Sequence, residues 1–221
     1  MDIKIKESFI QMMKKLQREN VTTFIKEKLA NEEISYTELY EELLIPYLSN
    51  WDCDEEIQEL CVFKEHVSTS IIRTIIEINY PFLVEKRKKF LEDGRITELR
   101  KKVFIACPAG EFHEIGARIV SDIFYINGYD VLYVGANTPL DEIIKMTKVY
   151  IPDYIAFSVS DPYNIISTKK TIAKLRDNNT QSKIIVGGRA FKINPHVFKQ
   201  IKADLLLNSF DDIQKLAEGD K

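Results

Sequence analysis

Residues 103–116 have the sequence VFIACPAGEFHEIG, which joins an apolar run, a polar loop and the start of an amphipathic stretch. The run Val103–Cys107 has no alternation of polar and apolar residues, which is typical of a strand buried on both faces of a parallel sheet. The stretch Ile115–Ile126 has apolar residues at helical spacing and predicts the helix that follows the strand. Because ligands bind beyond the carboxyl ends of such strands, loop 108–114 is the first candidate for a site.

The alternation of strand and helix continues to the end of the chain. Further strands are predicted at 131–134, 154–158, 184–186 and 205–207, and further helices at 140–149, 165–176, 196–201 and 211–216. Such repeats indicate an α/β fold in which helices cover both faces of a parallel sheet. We therefore predict a five-stranded, flavodoxin-like (Rossmann-like) α/β domain over residues 100–221.

The first part of the chain has a different pattern. Residues 1–92 contain no glycine, and prolines occur there only at Pro46 and Pro81. Their apolar residues recur at helical spacing, which predicts an all-α bundle of four or five helices. The charged segment 91–95 contains the first glycine of the chain, Gly94, and is the predicted linker between the two domains.

The composition argues against several classes of protein. A formal net charge of -3, with 45% hydrophobic and 29% charged residues, gives no basic balance for gripping phosphate backbones, so we expect no direct nucleic-acid binding. No segment approaches the roughly 18 apolar residues of a membrane helix. The start of the chain, Met1–Lys4, lacks the apolar core of a signal peptide. We expect a cytoplasmic protein that does not enter a membrane.

Loop 108–114 places a carboxylate two residues before a histidine. Glu111 beside His113 is suited to accept one ring N–H, which would set the tautomer and make the other ring nitrogen a better metal ligand. Gly116 lets a bulky planar ligand approach the helix that follows. The loop is neither a dinucleotide fingerprint nor a phosphate-binding loop. Taken alone, a histidine at the exit of a strand is more often a structural or solvated residue.

The loops after the other strands carry matching residues. Ser158 ends the third strand and is expected to extend the hydrogen-bond chain to Glu111. Gly187 and Gly188 end the fourth strand, and Gly135 and Ala136 follow the second, where they leave room for a ligand. Each has an ordinary alternative, since glycines form turns and serines cap helices.

In combination, E-x-H-x-x-G at 111–116, the serine at 158 and the glycines at 187–188 resemble the cobalamin-binding fold, whose usual signature is D-x-H-x-x-G, S-x-L and G-G. The resemblance implies a cobalamin cofactor, adenosylcobalamin or methylcobalamin, with His113 as the lower axial ligand to cobalt. It also implies that the nucleotide tail follows the serine and glycine loops. Glu111 stands where the family usually has aspartate, and Ser160 stands where it usually has leucine.

The resemblance extends, more weakly, to residues 1–92, which are similar to the helical cap over the upper face of the corrinoid. Cobalamin-dependent regulators, including light sensors, tend to have glutamate in the first motif position, a loop like Val134–Pro139 and a pair like Glu65–His66. We therefore expect the cofactor to contact further residues: Trp51, Glu65, His66, Gly135, Ala136, Asn137 and Ser160. The regulators' tryptophan over the upper ligand aligns with Glu55, one helical turn after Trp51.

These features favour a cobalamin-binding sensor or regulator, possessing no enzymatic activity, that responds to light or to a change of upper ligand. Photosensing repressors usually carry an N-terminal DNA-binding domain, whereas we expect this sequence to begin directly with the helical cap. It is therefore expected to act in transcription regulation through a partner regulator protein or as a homo-oligomer. The alternative is a corrinoid carrier that moves methyl groups between methyltransferases. Carriers usually continue G-K-N after the histidine motif, whereas Gly116 is followed here by Ala117 and Arg118. A module that binds another ligand in the same slot is a third hypothesis.

Overall fold

The structure is a computed structural model that describes residues 1–51, 60–178 and 180–221. The chain divides into two compact units, unit 1 at residues 1–86 and unit 2 at residues 87–221. The domain limits expected from the sequence, 1–92 and 100–221, stay a prediction. Glu55, which aligns with the regulators' tryptophan, lies outside the described residues.

Unit 1 is built from helices. They are α1 (Ile3–Lys14), α2 (Arg18–Ala30), α3 (Tyr36–Glu38), α4 (Ile45–Ser49) and α5 (Cys61–Glu92), whose last residues belong to unit 2. A π-helical turn at Leu39–Leu44 joins α3 to α4. Buried apolar residues recur along one face of each of the first two helices, as at Ile5, Phe9 and Met13 of α1, so their amphipathic pattern forms the core.

Unit 2 alternates strands with helices. The strands are β1 (Lys102–Pro108), β2 (Asp130–Thr138), β3 (Tyr154–Ser158), β4 (Lys183–Gly187) and β5 (Leu205–Leu207). The helices are α6 (Ile115–Ile126), α7 (Leu140–Tyr150), α8 (Ile165–Asp177), α9 (Arg189–Ile193) and α10 (Phe210–Gly219). All neighbouring strands pair in parallel in the order β2-β1-β3-β4-β5. The predicted five-stranded flavodoxin-like sheet is therefore confirmed.

Two local predictions in unit 2 were wrong. The helix expected at 196–201 is a 3-10 helix at Pro195–Gln200, preceded by the short helix α9 that the periodicity did not reveal. Strand β2 continues to Thr138 instead of ending at Val134, with irregular pairing opposite Ala106 and Pro108. The segment Gly135–Asn137 is consequently part of the sheet edge.

A buried apolar cluster fixes the sheet against its helices. It joins alternate residues of the central strands, such as Phe104, Ile155 and Ile184, to Ile143 of α7 and Ile172 of α8. Strand β1 is buried along nearly its whole length, as its uninterrupted apolar run predicts. The loops at the carboxyl ends of the strands therefore stand on a rigid base.

No helix formed by residues 1–51, 60–178 and 180–221 is both long enough and apolar enough to cross a lipid bilayer.

Candidate functional site

The loops after β1 and β3 meet at the point where the strand order reverses. Strand β1 pairs with β2 on one side and with β3 on the other, so the connections from β1 and from β2 lead in opposite directions. Ligands of open α/β sheets bind in the crevice at this switch point. The loop that contains Glu111 and His113 lies on one side of it, and the loop that begins at Val159 lies on the other.

Glu111 is the centre of the polar network at the switch point. Its side chain is 0% exposed, and both carboxylate oxygens accept hydrogen bonds. Oε1 accepts the backbone N–H of His113 at 2.9 Å and is 2.6 Å from the ring Nδ1 of the same residue. Oε2 accepts the backbone N–H groups of Ser160 at 2.8 Å and Asp161 at 2.9 Å, and Nδ2 of Asn164 at 3.2 Å.

These bonds keep Glu111 ionised in spite of its burial. Burial by itself raises the pKa of the Glu111 carboxyl, but the N–H groups of Asp161, His113 and Ser160 and the His113 ring lower it more. The net pKa lies below the usual range of a glutamate. A negative charge on Glu111 therefore lies next to the His113 ring.

The two ring nitrogens of His113 differ, because only one of them faces Glu111. An ionised carboxylate only accepts, so the nitrogen facing Glu111, Nδ1, carries the hydrogen. The other nitrogen, Nε2, then has the lone pair that a metal ligand needs. The His113 side chain is 64% exposed, so a ligand from outside unit 2 can reach it. The predicted pairing of Glu111 with His113 is present in the structure.

Gly116 is the second residue of α6, and the structure has room for a small side chain at this position. A Cβ built on this residue would lie 3.8 Å from Ser158 Oγ, an ordinary van der Waals distance. Packing within the unit therefore does not require glycine here, although alanine is the better residue for a helix. A glycine that the chain itself does not need fits the close approach of a planar external group.

Ser158 does not extend the network as the sequence suggested. The bonds that Glu111 accepts within the described residues come from His113, Ser160, Asp161 and Asn164. Ser160 takes part through its backbone N–H group and not through its side chain. The hydroxyl of Ser158 lies beside Gly116 instead.

The family comparison decides the class of the chain. Residues 101–210 match the B12 binding domain family, a span that includes β1 to β5 and the whole network around Glu111. This chain is a B12-binding domain protein. Its cofactor is cobalamin, as the motif at 111–116 implied.

Known relatives agree with this assignment. A corrinoid protein of Desulfitobacterium hafniense (strain Y51) is 26% identical over 106 residues, and the match spans 47% of this chain but only about half, 48%, of that protein. The solved monomethylamine corrinoid protein of Methanosarcina barkeri has a similar fold, with 16% identity, a TM-score of 0.79 and coverage of 97% of both chains. The methanol:cobalamin methyltransferase complex of Methanosarcina barkeri has a chain with 15% identity and a TM-score of 0.51, over 99% of this chain and 80% of that one. At these identities the structural matches show the fold.

The residues of this B12-binding domain fit a corrinoid. A corrin ring brings its own nitrogen ligands to cobalt, so a single protein ligand is sufficient. In the part of the chain that the structure describes, there is no group of three or more His, Cys, Asp or Glu able to hold a bare metal ion. The exposed side chain of His113, with Nε2 turned away from Glu111, fits the single protein ligand that such a cofactor requires.

The glycine pair of the B12-binding domain has a reason in its own packing. A Cβ on Gly187 would lie 2.7 Å from the carbonyl oxygen of Leu207, closer than real Cβ atoms come. A Cβ on Gly188, whose φ is +102°, would collide with the backbone of Val159. Both glycines are therefore required by neighbouring backbone, and contact with the nucleotide tail stays a prediction.

The edge strand β2 braces the histidine loop. Asn137 Oδ1 accepts the N–H of Gly110 at 2.8 Å, and the N–H of Asn137 donates to the carbonyl oxygen of Glu111, also at 2.8 Å. The N–H of Ala136 donates to Glu114 Oε2 at 3.0 Å. Ala136 and Asn137 thus hold the histidine loop, and their contact with the cofactor stays a prediction.

Glu114 and Asn164 belong to the network but were not predicted. Glu114 Oε2 also accepts the Tyr133 hydroxyl at 3.2 Å, and burial followed by the charge of Glu114 raises the Tyr133 pKa. Glu114 could have been suspected because it neighbours His113. Asn164 has no sequence signal, since it is 53 residues from Glu111 and meets it only through the sheet topology.

The predicted contact residues of unit 1 lie just after α4 and on α5. Trp51 follows α4 and packs edge-on against Tyr47, with ring centroids 5.8 Å apart. Glu65 and His66 are exposed on the first turns of α5. Contact of these residues with the cofactor stays a prediction.

Proposed function

We propose that this chain is a corrinoid carrier protein, which holds cobalamin while a methyl group passes between two methyltransferases. The observation that carries the proposal is the fold likeness to the monomethylamine corrinoid protein, which covers 97% of both chains. The likeness therefore includes the helices of unit 1 as well as the sheet of unit 2. The D. hafniense relative, which is also named a corrinoid protein, supports the same class.

The partner that we propose is a methyltransferase. One of the solved structures with a similar fold is a methanol:cobalamin methyltransferase complex. A carrier has to present its cofactor to more than one enzyme in turn. This replaces the partner regulator protein that the sequence favoured, whereas the substrate that supplies the methyl group is left open.

The network around Glu111 supplies what a carrier needs. When bound, cobalamin supplies a cobalt that accepts and donates a methyl group. His113 Nε2 is the proposed lower ligand, because it is the ring nitrogen that does not face Glu111 and the side chain is exposed. Glu111 holds the ring by its bond to Nδ1, and its negative charge makes Nε2 a stronger donor.

The regulator hypothesis has less support than the carrier hypothesis. None of the relatives described above is named a regulator or a photoreceptor. Arg118, one of the two residues that depart from the carriers' G-K-N, pairs on α6 with Asp122, one helical turn away. The departure thus has a local structural use, and it does not point to light sensing or to transcription regulation.

Methyl transfer to the loaded protein tests the proposal. Purified protein is loaded with hydroxocobalamin, reduced chemically, and mixed with isotopically labelled methanol or methylamines and any methyltransferases encoded beside its gene. A carrier is expected to gain label on the protein-bound corrinoid only when a matching methyltransferase is present. The variant His113→Ala, loaded in parallel, is the control for the proposed ligand.

Two results would contradict the carrier proposal. One is the absence of labelling with every neighbouring methyltransferase while cobalamin stays bound. The other is a change of oligomeric size when the upper ligand is removed by light, measured by size-exclusion chromatography coupled to light scattering. The second result would restore the regulator hypothesis.

A further inference from the structure

Three consecutive apolar residues are exposed at the C-terminal end of α7. The exposed fractions are 75% for Val149, 51% for Tyr150 and 74% for Ile151, and we call these three residues the α7 patch. Among the residues that the structure describes, this is the only uninterrupted run of three exposed large hydrophobic side chains. Single exposed apolar residues are normal on a protein surface, whereas a contiguous group of them is typical of an interaction site.

Ile151 has a backbone conformation that an isoleucine seldom adopts. It is the C-cap residue of α7, with φ 46° and ψ 63° in the left-handed region. Glycine or asparagine usually occupies such a position, because a branched Cβ crowds the backbone there. Packing inside the chain does not explain the isoleucine, since most of its side chain is exposed. A contact with another molecule would give this strained residue a use.

The segment that follows the α7 patch is fixed to the sheet. The N–H of Asp153 donates to the carbonyl oxygen of Lys102 at 2.9 Å, and the N–H of Lys183 donates to the carbonyl oxygen of Asp153, also at 2.9 Å. The Ser182 hydroxyl donates to the carbonyl oxygen of Pro152 at 2.5 Å. These bonds connect the segment to the starts of β1 and β4. The α7 patch is therefore held in place, which lowers the entropy lost when it binds.

The α7 patch has opposite charges at its two ends. Lys148 comes directly before it, and Asp153 follows it after Pro152. Both residues are exposed, and Lys148 forms no ion pair within the part of the chain that the structure describes. Asp153 Oδ2 accepts the N–H of Lys102 at 2.8 Å, while no described residue binds its Oδ1. Each end can therefore bind an opposite charge on another molecule.

We propose that the α7 patch is the contact between two copies of this chain, related by a two-fold axis. The order of positive charge, apolar residues and negative charge is its own complement. When two such segments run antiparallel, Lys148 of each copy faces Asp153 of the other, and Tyr150 faces Ile151. The use of one patch by both partners is the commonest kind of contact in soluble homodimers.

This contact does not cover the end of unit 2 that carries His113. Helix α7 ends just before the amino end of β3, whereas His113 follows the carboxyl end of β1. Because β1 and β3 pair in parallel, these two positions lie at opposite ends of the sheet. The inference therefore rests neither on the carrier proposal nor on coordination of cobalt by His113.

Sedimentation equilibrium of the purified chain, with and without cobalamin, tests the inference. The concentration is raised to about 1 mM, so that a weak association is also detected. The variants Lys148→Asp and Asp153→Lys each place like charges opposite one another, and each should weaken self-association at least about tenfold. An equimolar mixture of the two variants restores both ion pairs, so it should recover most of the wild-type association.

The variant Ile151→Asn separates the strain from the contact. Asparagine adopts the left-handed conformation more readily than isoleucine, so the urea midpoint of the variant should rise. Its self-association should fall at least about tenfold, because an apolar side chain is lost from the contact. Ile3→Asn is the matched control, since Ile3 is also an exposed isoleucine, at 64%, but lies on α1. It should leave self-association unchanged.

Three results would overturn the inference. One is a wild-type chain that stays monomeric over the whole range of concentration. Another is a dimer that Lys148→Asp and Ile151→Asn leave unchanged, which would place the contact elsewhere. The third is a mixture of the two charge variants that associates no better than either variant alone. If circular dichroism shows that Asp153→Lys does not fold, Asp153→Asn, which keeps an oxygen for the N–H of Lys102, takes its place and should weaken self-association.

Discussion

Unit 2 has a nearly inaccessible carboxylate near each end of its sheet, and the two carboxylates differ in how exposed their hydrogen-bond partners are. Glu111, at the carboxyl ends of the strands, is bonded to His113, whose second ring nitrogen is exposed. Asp220, near the amino ends, accepts the hydroxyls of Tyr129 at 2.8 Å and Tyr154 at 2.8 Å and pairs with Lys101 at 3.1 Å. Its side chain is 9% exposed.

The two clusters are electrostatically alike. In each, burial by itself raises the carboxyl pKa, and hydrogen-bond donors lower it more, so that both pKa values lie below the usual range. They differ in where the hydrogen bonds lead. The partners of Asp220 tie the C-terminal end of α10 to the sheet, whereas His113 leads outward to a free nitrogen. A perturbed carboxyl pKa is therefore not enough to identify a site, because structural ion pairs also perturb pKa values.

The largest expected effect is on cobalamin affinity, which should change with the Glu111 cluster and not with the Asp220 cluster. Glu111→Gln removes the charge beneath His113 and turns an NH₂ group toward N–H donors, so we expect cobalamin affinity to fall by about 10- to 100-fold. Asp220→Asn should bind cobalamin with wild-type affinity. Isothermal titration with hydroxocobalamin measures both. Equal losses of cobalamin affinity in Glu111→Gln and Asp220→Asn would contradict a specific role of the Glu111 cluster in cofactor binding.

The next largest effect is on the free energy of unfolding, which should depend more on the Asp220 cluster than on the Glu111 cluster. Asp220→Asn loses a charge that binds two hydroxyls and an ammonium group, and we expect the free energy of unfolding to fall by about 1–3 kcal/mol. His113→Ala should change it by less than about 1 kcal/mol, because the imidazole is exposed and Glu111 keeps its backbone donors. Urea unfolding without cobalamin checks both values. A destabilised His113→Ala would show that His113 has a structural role as well.

Acid should remove the contribution of Asp220. Its pKa in the folded state is below the value of about 3.9 expected for the unfolded chain, so its stabilisation is present above that value and is lost as the pH falls through the folded pKa. The difference in unfolding free energy between the wild-type protein and Asp220→Asn should therefore be constant from about pH 7 to about pH 5 and shrink below about pH 4. A difference that does not shrink in acid would contradict the assigned role of the charge.

The smallest effect is expected in the reactivity of the Cys107 thiol, which lies close to the Glu111 network. Burial, followed by the charges of Glu111 and Glu114, raises the pKa of this thiol to about 12. Iodoacetamide at about pH 8 should therefore leave Cys107 of the native protein almost unmodified, since only the thiolate reacts. Peptide mass spectrometry of Cys107, with urea-unfolded protein as the control, checks this. Rapid labelling would indicate that the network opens in solution.

The loop Glu111–His113 could be predicted from sequence because its residues are neighbours along the chain. The sheet could be predicted because buried parallel strands leave uninterrupted apolar runs, as at Val103–Cys107. The contact of Asn164 with Glu111 could not be predicted, because it spans 53 residues and depends on where two loops meet. The same reason explains why Ser158, plausible by motif, does not bind Glu111.

The glycine pair shows a different limit of the sequence. Gly187 and Gly188 matched the motif and suggested space for a ligand, yet nearby backbone at Leu207 and Val159 already excludes side chains there. Gly116 is the opposite case, because among the described residues a Cβ on it would meet only Ser158 Oγ, at an ordinary distance. Only the structure separates a glycine required by packing from one that leaves space for a cofactor.

The absorbance spectrum of the cobalamin-loaded protein tests most directly whether His113 binds cobalt. Wild-type protein and His113→Ala are incubated with hydroxocobalamin, desalted and compared. We predict that the wild-type protein retains the pigment with its benzimidazole displaced by histidine, and that the variant loses this histidine-bound spectrum. Identical spectra from the two proteins, or no pigment retained by the wild-type protein, would contradict the account.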